Sequence, residues 1–498
     1  MASFTIAEML AIEAAALADG WTEEQLLHEA GTGLASSISH FFPRAGTLVG
    51  YLGKGHNAGD ALVALRILRD RHGWDIILRN AFPFEQCAPL TRATWETLGV
   101  APRADPLGDL HDLRHPVVLL DALLGSGTSG SLRAPLVGLA GEMAALRARC
   151  GARVAAVDIP SGMDPDTGDT SPNCVIADVT FMIGAAKRGL LTGHATAATG
   201  ALALVSVEGL AGCGGGDLEL IAPQTHSFGK SPRPFEFHKG MAGRVALIAG
   251  SECYAGAAVI AASGALRGGA GLVTLFTPHA VKSLVAGKCP PEVIVRGFKH
   301  PGELLEFRFD SLVVGCGMAA PDDGFASGLV DLIRDLSTPV VIDAGALDVF
   351  SADEKLSTLA ARHILTPHPG EFARLAPDLK DLPREVAAHR FSDRCAATLV
   401  LKGSRTIVTQ GGQALWCNST GTPAMATGGH GDLLAGVIGA RLATGAPPLE
   451  AAALSAWICG RSAEIAMNER HLSEESLVPS DVLHYLGAAF KDWRTNCR

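Results

Sequence analysis

Few residues of this 498-residue chain carry charge, and its cysteines are not clustered. Charged residues make up 18% of the chain and hydrophobic residues 48%, a composition that argues against intrinsic disorder. Asp and Glu number 51 against 41 Lys and Arg, for a net charge of −10, so we expect no nucleic acid or anionic membrane as a partner. The 11 cysteines are odd in number and form no CxxC pair. We therefore expect free thiols in a reducing cytoplasm rather than a disulfide framework or a zinc site.

The sequence also shows no signal peptide and no uninterrupted membrane span. Residues 1–19 contain Glu8 and Glu13 but no basic residue, unlike a signal peptide. The apolar residues 245–276 are interrupted by Glu252, Arg267 and several glycines, which favours a strand, a helix and a second strand. We expect a cytoplasmic protein without a membrane partner, and a homo-oligomer.

Two halves with different motifs meet at residues 209–216, GLAGCGGG, whose glycine content is typical of a linker. We predict a first domain over residues 1–217 and a second over 218–498. In both halves, short β-branched runs alternate with helical patterns, for example 47–52 and 60–71, or 244–249 and 255–266. This alternation is typical of a parallel sheet with helices on both faces. The predicted fold class is α/β, with two doubly wound, three-layer αβα domains.

Three polar, glycine-rich segments follow predicted strands of the first half: GKGHNAGD, DALLGSGTSG and DIPSGMD. Ligands of an open parallel sheet bind beyond the carboxyl ends of its strands, so these segments should converge. Asn57, Asp121 and Ser161 offer hard oxygen ligands for a cation, and Asp158 could act as an acid or a base. Taken singly, each carboxylate could instead be a helix cap or a turn residue, and the first segment a plain structural turn.

The second half contains a glycine-rich turn before an apolar-striped helix predicted over residues 433–442. Gly428, Gly429 and Gly431 would leave backbone N–H groups free at the positive end of that helix, where they could stabilise a transferring phosphoryl group. Asp432 could take a proton from an attacking hydroxyl, or simply cap the helix. Residues 400–406 fit a strand that turns tightly around a nucleotide. His368 lies in a proline-stiffened turn, where a structural role is the alternative.

The first half resembles the NAD(P)H-hydrate epimerase domain, which is Rossmann-like, through GKGHNAGDALVAL, DALLGSGTSG, AVDIPSGMDPDTG and ADVTFMIGAAKRGLL. The resemblance implies interconversion of the two C6 epimers of the hydrated nicotinamide ring. It implies a potassium ion on Asn57, Asp121 and Ser161, and proton transfer by Asp158, which would contact the ring. The dinucleotide loops implied by the resemblance contain His56, Asn57, Ala58, Gly59, Asp60, Gly125, Ser126, Gly127, Thr128, Ser129, Gly130 and Ser131.

That half departs from the family pattern in its first loop. The family usually shows Asn-Asn-Gly-Gly-Asp-Gly where this chain has His56 to Ala61, HNAGDA. The two alanines would restrict the backbone if a positive φ were required there.

The second half resembles the NAD(P)H-hydrate dehydratase family of the ribokinase-like fold over most of residues 238–445. The matching segments include LTPHPGEFARL, LKGSRTIV and AMATGGHGDLLAGVIGA. The resemblance implies phosphorylation of the ring hydroxyl by ADP or ATP with Mg²⁺, followed by loss of phosphate. It implies Asp432 as the catalytic base and an anion hole of Gly429, His430 and Gly431. The remaining implied contacts are, for the nucleotide, Lys402, Gly403, Ser404, Arg405, Thr406 and Gly431, and, for the hydrate, Ala257, Gly317, His368 and Asp432.

This half departs from its family at three places. Asp343-Ala344-Gly345 stands where the family tends to show Asp-Ala-Asp, His430 stands where Thr or Ser is usual, and Gly315-Cys316-Gly317 replaces Gly-Pro-Gly.

The two resemblances together predict repair of the hydrates NADHX and NADPHX by one bifunctional enzyme. One alternative is a ribokinase-like small-molecule kinase, which would not need the first half. Another is a dehydratase with a non-catalytic first domain. The sequence leaves ADP or ATP open, although the fused arrangement favours ADP by analogy.

Overall fold

A computed structural model describes residues 3–127, 130–210, 216–319, 322–351 and 353–495. The chain forms two compact units that divide between Leu220 and Ile221, whereas the division expected from the sequence follows residue 217. No helix of the described residues is both long and apolar enough to cross a membrane.

The first unit alternates strands and helices. Its strands are β1 (Thr47–Leu52), β2 (Asp75–Asn80), β3 (Val117–Ala122), β4 (Arg153–Val157), β5 (Val179–Ile183) and β6 (Ala201–Val205). Its helices are α1 (Ile6–Ala18), α2 (Glu23–Phe41), α3 (His56–His72), α4 (Pro89–Leu98), α5 (Leu136–Cys150) and α6 (Thr196–Thr199), with 3₁₀ turns at Phe84–Gln86, Arg188–Leu191 and Glu208–Leu210.

The six strands form a parallel sheet in the order β2-β1-β3-β4-β5-β6. Alternate β1 residues enter two separate cores, Leu48 and Leu52 on one face and Val49 and Tyr51 on the other. Helices cover both faces for this reason. The strand order reverses between β1 and β3, and that crevice is where a doubly wound sheet binds ligands.

The second unit repeats this design with a larger sheet. Its strands are β7 (Leu218–Ile221), which spans the division, β8 (Arg244–Ile248), β9 (Leu272–Pro278), β10 (Val293–Phe298), β11 (Ser311–Val314), β12 (Val340–Ile342), β13 (Ile364–Leu365), β14 (Thr398–Leu401), β15 (Ile407–Thr409) and β16 (Leu415–Asn418). Its helices are α7 (Ala255–Arg267), α8 (Lys282–Ala286), α9 (Asp323–Asp335), α10 (Asp353–Leu356), α11 (Pro369–Leu375), α12 (Arg384–Arg394), α13 (His430–Ala443), α14 (Pro448–Arg470) and α15 (Pro479–Thr495), with 3₁₀ turns at His279–Val281, Pro301–Glu306, Ala344–Phe350 and Pro423–Met425.

The sheet order is β10-β9-β8-β11-β12-β13-β14-β15-β16-β7. The strands from β10 to β14 are parallel, which confirms the prediction of two α/β domains built on parallel sheets. β14 and β15 pair antiparallel, as do β15 and β16, a departure from a purely parallel sheet. The connection between β14 and β15 spans only residues 402–406, too short for the crossover that a parallel pair requires.

Glycines allow α13 to pack directly on α7. A Cβ at Gly436 would lie 2.0 Å from the carbonyl oxygen of Ala261, and one at Gly264 would lie 2.6 Å from that of Leu433. Larger residues at these positions would push the helices apart. This close approach fixes the position of the N-terminus of α13, which carries Asp432.

Candidate active sites

The first candidate site is a cluster of buried oxygens at the carboxyl ends of β1, β3 and β4. Asn57, in the first turn of α3, donates from Nδ2 to the carbonyl oxygens of Leu124 (2.9 Å) and Val157 (3.2 Å). Its Oδ1 is buried, and no donor among the described residues reaches it. Asp121 accepts from the Ser161 hydroxyl through Oδ1 (2.7 Å) and from the Ser161 backbone N–H through Oδ2 (2.8 Å). The structure thus brings together the three predicted cation ligands.

This cluster fits a hard monovalent cation. Burial raises the pKa of Asp121 to about 6, although hydrogen bonds from Ser161 and Leu123 oppose the rise. A cation beside the carboxylate would offset the burial of its negative charge. The unsatisfied Oδ1 of Asn57 would gain the partner that a buried oxygen requires, and such oxygens can replace the hydration shell of potassium.

Asp158 lies directly after β4 and is held from three sides. Its Oδ2 accepts from the backbone N–H of Ser126 (3.2 Å), and its Oδ1 from that of Ile183 (3.3 Å). The ammonium group of Lys187 forms an ion pair with Oδ1. The backbone of Asp158 is in the left-handed region, with φ of 69°, a conformation that persists only where the surroundings enforce it.

The predicted dinucleotide loops are partly helix. α3 begins at His56, earlier than expected from the sequence, with Gly55 as its N-cap. Ala58 and Ala61 are therefore helical and buried, and neither has a positive φ. The replacement of two family glycines imposes no backbone strain here. His56 is exposed and Gly59 is buried within the same helix.

The other predicted loop follows β3. A Cβ at Gly125 would lie 3.0 Å from that of Asn57, so the loop passes directly over the cation cluster. Gly127, Gly130 and Ser131 are exposed, and the predicted residues Thr128 and Ser129 lie outside the described residues. Asp60 is half-buried on α3, where burial and the negative charge of Asp158 raise its pKa well above the usual value.

The second candidate site lies at the carboxyl ends of β11 to β14, opposite the N-terminus of α13. Gly429, with φ of 99°, is the N-cap, so Asp432 is not the cap but a first-turn residue. Burial is the main cause that raises the pKa of Asp432 to about 6, and the charge of Asp343 adds to it. A hydrogen bond with Cys316 and the charge of Lys402 oppose that rise.

Asp343 is the buried partner of several groups in this site. Its Oδ1 accepts from the Thr366 hydroxyl (2.7 Å) and from Nζ of Lys402 (2.8 Å). The Sγ atom of Cys316 and carboxylate oxygens of Asp343 and Asp432 all lie within 4.8 Å of one another. The cysteine that replaces a family proline thus contacts both aspartates.

The predicted nucleotide segment turns toward the same place. A Cβ at Gly431 would lie 3.2 Å from Nζ of Lys402, so residues of two separate motifs meet. Gly403 and Ser404 are exposed, Thr406 is half-buried and Arg405 is buried. His430 is also buried, and neither ring nitrogen has a partner among the described residues. Burial lowers its pKa to about 4, so the ring is neutral at physiological pH.

The residues predicted to contact the hydrate lie in two places. Ala257 and Gly317 lie side by side, because a Cβ at Gly317 would be 2.7 Å from that of Ala257. His368 is the N-cap of α11, and its Nδ1 accepts from the backbone N–H groups of Gly370 (3.0 Å) and Glu371 (3.3 Å). The structural role that the sequence left open for His368 is therefore present, with Nε2 still facing Glu371 at 3.5 Å.

The sequence reasoning did not select Lys187 or Cys316 as site residues. Lys187 lies in the fourth segment of the epimerase resemblance, four residues after β5, where a lysine amid small apolar residues was the available signal. Cys316 was noted only as a departure from a turn pattern.

Comparisons with known proteins agree with this division into two sites. Residues 23–189 match a family described as YjeF-related protein N-terminus, and residues 245–485 match the NAD(P)H-hydrate dehydratase family. The bifunctional NAD(P)H-hydrate repair enzyme of Gloeobacter violaceus is 34% identical over 91% of this chain and 91% of its own length. That of Methanopyrus kandleri is 34% identical over 97% of this chain and 95% of its own. The crystal structure of the ADP/ATP-dependent NAD(P)H-hydrate dehydratase from Bacillus subtilis, co-crystallized with ATP/Mg²⁺, is 29% identical, with a TM-score of 0.46, over 53% of this chain and 94% of that one.

Proposed function

Because the chain belongs to the family of bifunctional NAD(P)H-hydrate repair enzymes, we propose how its two sites divide the repair of NADHX and NADPHX. The first site interconverts the R and S epimers. The second converts the S epimer to NAD(P)H at the expense of ADP or ATP. The observation that carries the proposal is the position of Asp432, a half-buried carboxylate in the first turn of α13, beside the glycine N-cap of that helix.

Asp432 is the base of the second site. It accepts the proton of the C6 hydroxyl as that oxygen attacks the terminal phosphoryl group of the nucleotide. The backbone N–H groups of Gly429, His430 and Gly431 stabilise the charge that develops on the phosphoryl oxygens. Departure of phosphate from C6, with loss of a proton from C5, then restores the ring double bond.

The nucleotide is held by Lys402 and the turn that follows it, with Gly431 opposite. Mg²⁺ carried by the nucleotide would neutralise part of the charge on its phosphates. A metal ion carried by the nucleotide suits a site in which Gly345 stands where the family tends to have an aspartate. ADP is the favoured donor on the family analogy, and equal rates with ATP would overturn that preference.

In the first site, Asn57, Asp121 and Ser161 would hold potassium, and its positive charge would help to order the loops around the dinucleotide. The unpartnered Oδ1 of Asn57 supports this assignment. Asp158 transfers the proton at the hydrated ring. Among the described residues, the backbone N–H of Ser126 is the one hydrogen-bond donor to its Oδ2.

The test is recovery of NADH absorbance from a mixture of R and S hydrates with Mg²⁺ and either ADP or ATP. Wild type should recover all of it, Asp432→Asn none, and Asp158→Asn only the S fraction, provided that spontaneous epimerisation is slow. If wild type stops after the S fraction, the first unit is not an epimerase. If neither nucleotide supports recovery, the second unit is instead a small-molecule kinase.

We also propose a cytoplasmic location, which is supported by the free cysteines of the described residues. The homo-oligomer expected from the sequence stays a prediction, which light scattering of the purified protein would check.

A further inference from the structure

Lys187 is a buried lysine whose charge faces the first candidate site. Its side chain is 2% exposed. The ammonium group forms an ion pair with Asp158 and donates to the carbonyl oxygen of Ile183 at 2.6 Å. A buried ammonium is costly unless a charged partner and further hydrogen bonds compensate for the loss of water. Lys187 therefore needs the negative charge of Asp158 to compensate for its burial, and Asp158 is in turn held in place by the charge of Lys187.

The surroundings of this pair are otherwise acidic. Asp60 on α3 and Glu13 on α1 both interact with Asp158, and burial is the main cause that raises the pKa of each. Lys187 lowers the pKa of both carboxyl groups, and His56 also lowers that of Glu13. Without the lysine, the carboxylate of Asp158 would face two further acidic groups with little compensating charge.

The hydrogen bonds of Asp158 are unevenly distributed over its two oxygens. Oδ1 accepts from Lys187 and from the backbone N–H of Ile183, whereas the one donor to Oδ2 among the described residues is the N–H of Ser126. A carboxylate oxygen has two lone-pair directions. Oδ2 can therefore accept a further proton donor while Lys187 holds Oδ1.

We propose that Lys187 is the positioning residue of the epimerase site: its ammonium group holds Asp158 as an oriented carboxylate whose Oδ2 faces the hydrated ring. The inference rests on the proposed epimerase function. It assigns no bond-making step to Lys187, which acts through Asp158.

The experiment replaces Lys187 by methionine, which preserves the length of the side chain and removes its charge. Epimerisation of the R hydrate is followed through NADH formation, with an excess of Asp158→Asn chain as the coupling dehydratase. We expect kcat to fall by about 10–100-fold, the range typical for loss of a group that orients a metal ligand, with a much smaller change in KM.

Two controls separate this role from a structural one. Arg188→Met changes the next residue, whose exposed side chain pairs with Asp217 at 2.9 Å, and should leave kcat and KM as in wild type. Lys187→Arg keeps the positive charge and should restore most of the kcat that Lys187→Met loses. Dehydration of the S hydrate by each variant reports on the second unit, and circular dichroism on the fold of the first.

The outcomes distinguish the inference from the proposed function. A folded Lys187→Met chain with wild-type kcat overturns the inference and leaves the epimerase intact. If Lys187→Met fails to fold, a folded Lys187→Arg chain with kcat near the wild-type value supports the inference, and one whose kcat falls as far as that expected for Lys187→Met overturns it. Failure of wild type and Arg188→Met to epimerise at all contradicts the proposed function itself.

Discussion

Nζ of Lys402 lies 2.8 Å from Oδ1 of Asp343 and 3.6 Å from Oε2 of Glu371. A lysine expected to bind the nucleotide therefore also compensates two buried carboxylates beside Asp432. Asp343 and Glu371 raise the pKa of Asp432, and Lys402 lowers it. The balance of these three charges contributes to the pH at which Asp432 becomes ionised.

Dehydration should lose activity in acid because Asp432 must be ionised to accept a proton. Burial raises the pKa of Asp432 to about 6, so the ionised fraction declines as the pH falls through that value. At one pH unit below it, kcat should be about tenfold lower than on the plateau. The profile is measured with pure S hydrate and saturating nucleotide. An activity that stays level down to pH 4 would contradict the assignment of Asp432.

Replacing Lys402 by methionine should move this acidic limb to higher pH, because the cation that lowers the pKa of Asp432 is lost. The plateau should also fall, by about 100-fold, since a charge directed at the phosphates is removed. Lys380, an exposed lysine of the same unit, provides the control, and Lys380→Met should behave as wild type. An unmoved limb in Lys402→Met would show that its charge does not reach Asp432.

Asp432→Asn should stabilise the second unit while abolishing dehydration. Because the pKa of Asp432 is raised in the folded protein, its ionised form destabilises the fold at pH values above about 6. The amide removes that cost, and Tm should rise by roughly 2–4 °C for each kcal/mol recovered. The gain should be present at pH 8 and vanish at pH 4, where Asp432 is protonated in wild type. Calorimetry of both proteins at the two pH values checks the sign.

Gly315→Ala should destabilise the second unit severely. Gly315 has φ of 116°, and a Cβ there would lie 1.7 Å from the carbonyl oxygen of Asp343. The cost should reach about 3 kcal/mol or more, because the backbone of Asp343, directly after β12, cannot move aside cheaply. Gly428→Ala is the matched control, since a Cβ there meets nothing within 4 Å. Urea unfolding should show a lower midpoint for Gly315→Ala alone.

Replacing potassium by lithium should slow epimerisation by about tenfold or more and leave dehydration of the S hydrate unchanged. The site is expected to discriminate between the two ions, because the oxygens of Asn57, Asp121 and Ser161 would have to replace the hydration shell of the bound ion. Ser161→Ala should reduce the response to added potassium, because it removes one of the proposed ligands. Equal epimerisation rates in potassium and lithium would contradict the cation assignment.

The parts of this fold that were predictable from the sequence are local. Buried β-branched runs and capped helical patterns identified the strands and the two α/β domains, because a strand or helix is selected by residues close together in the chain. The glycine turn before α13 was recognisable for the same reason. The predicted starts of α3 and α13 were too late in the chain. α3 begins at His56 and α13 at His430, ahead of the apolar periodicity on which each helix prediction rested.

The sequence by itself thus determined the two α/β domains, the family they belong to and the motifs that lie at the strand ends. Only the tertiary structure decided which side chains share a site. Asp158 pairs with Lys187 across 29 residues of sequence, and Asp343 with Lys402 across 59. Both pairings depend on which strands become neighbours in the sheet, and the raised pKa of Asp432 depends on the burial that follows. Strand order and burial arise from packing of the whole domain, which no local pattern of residues records.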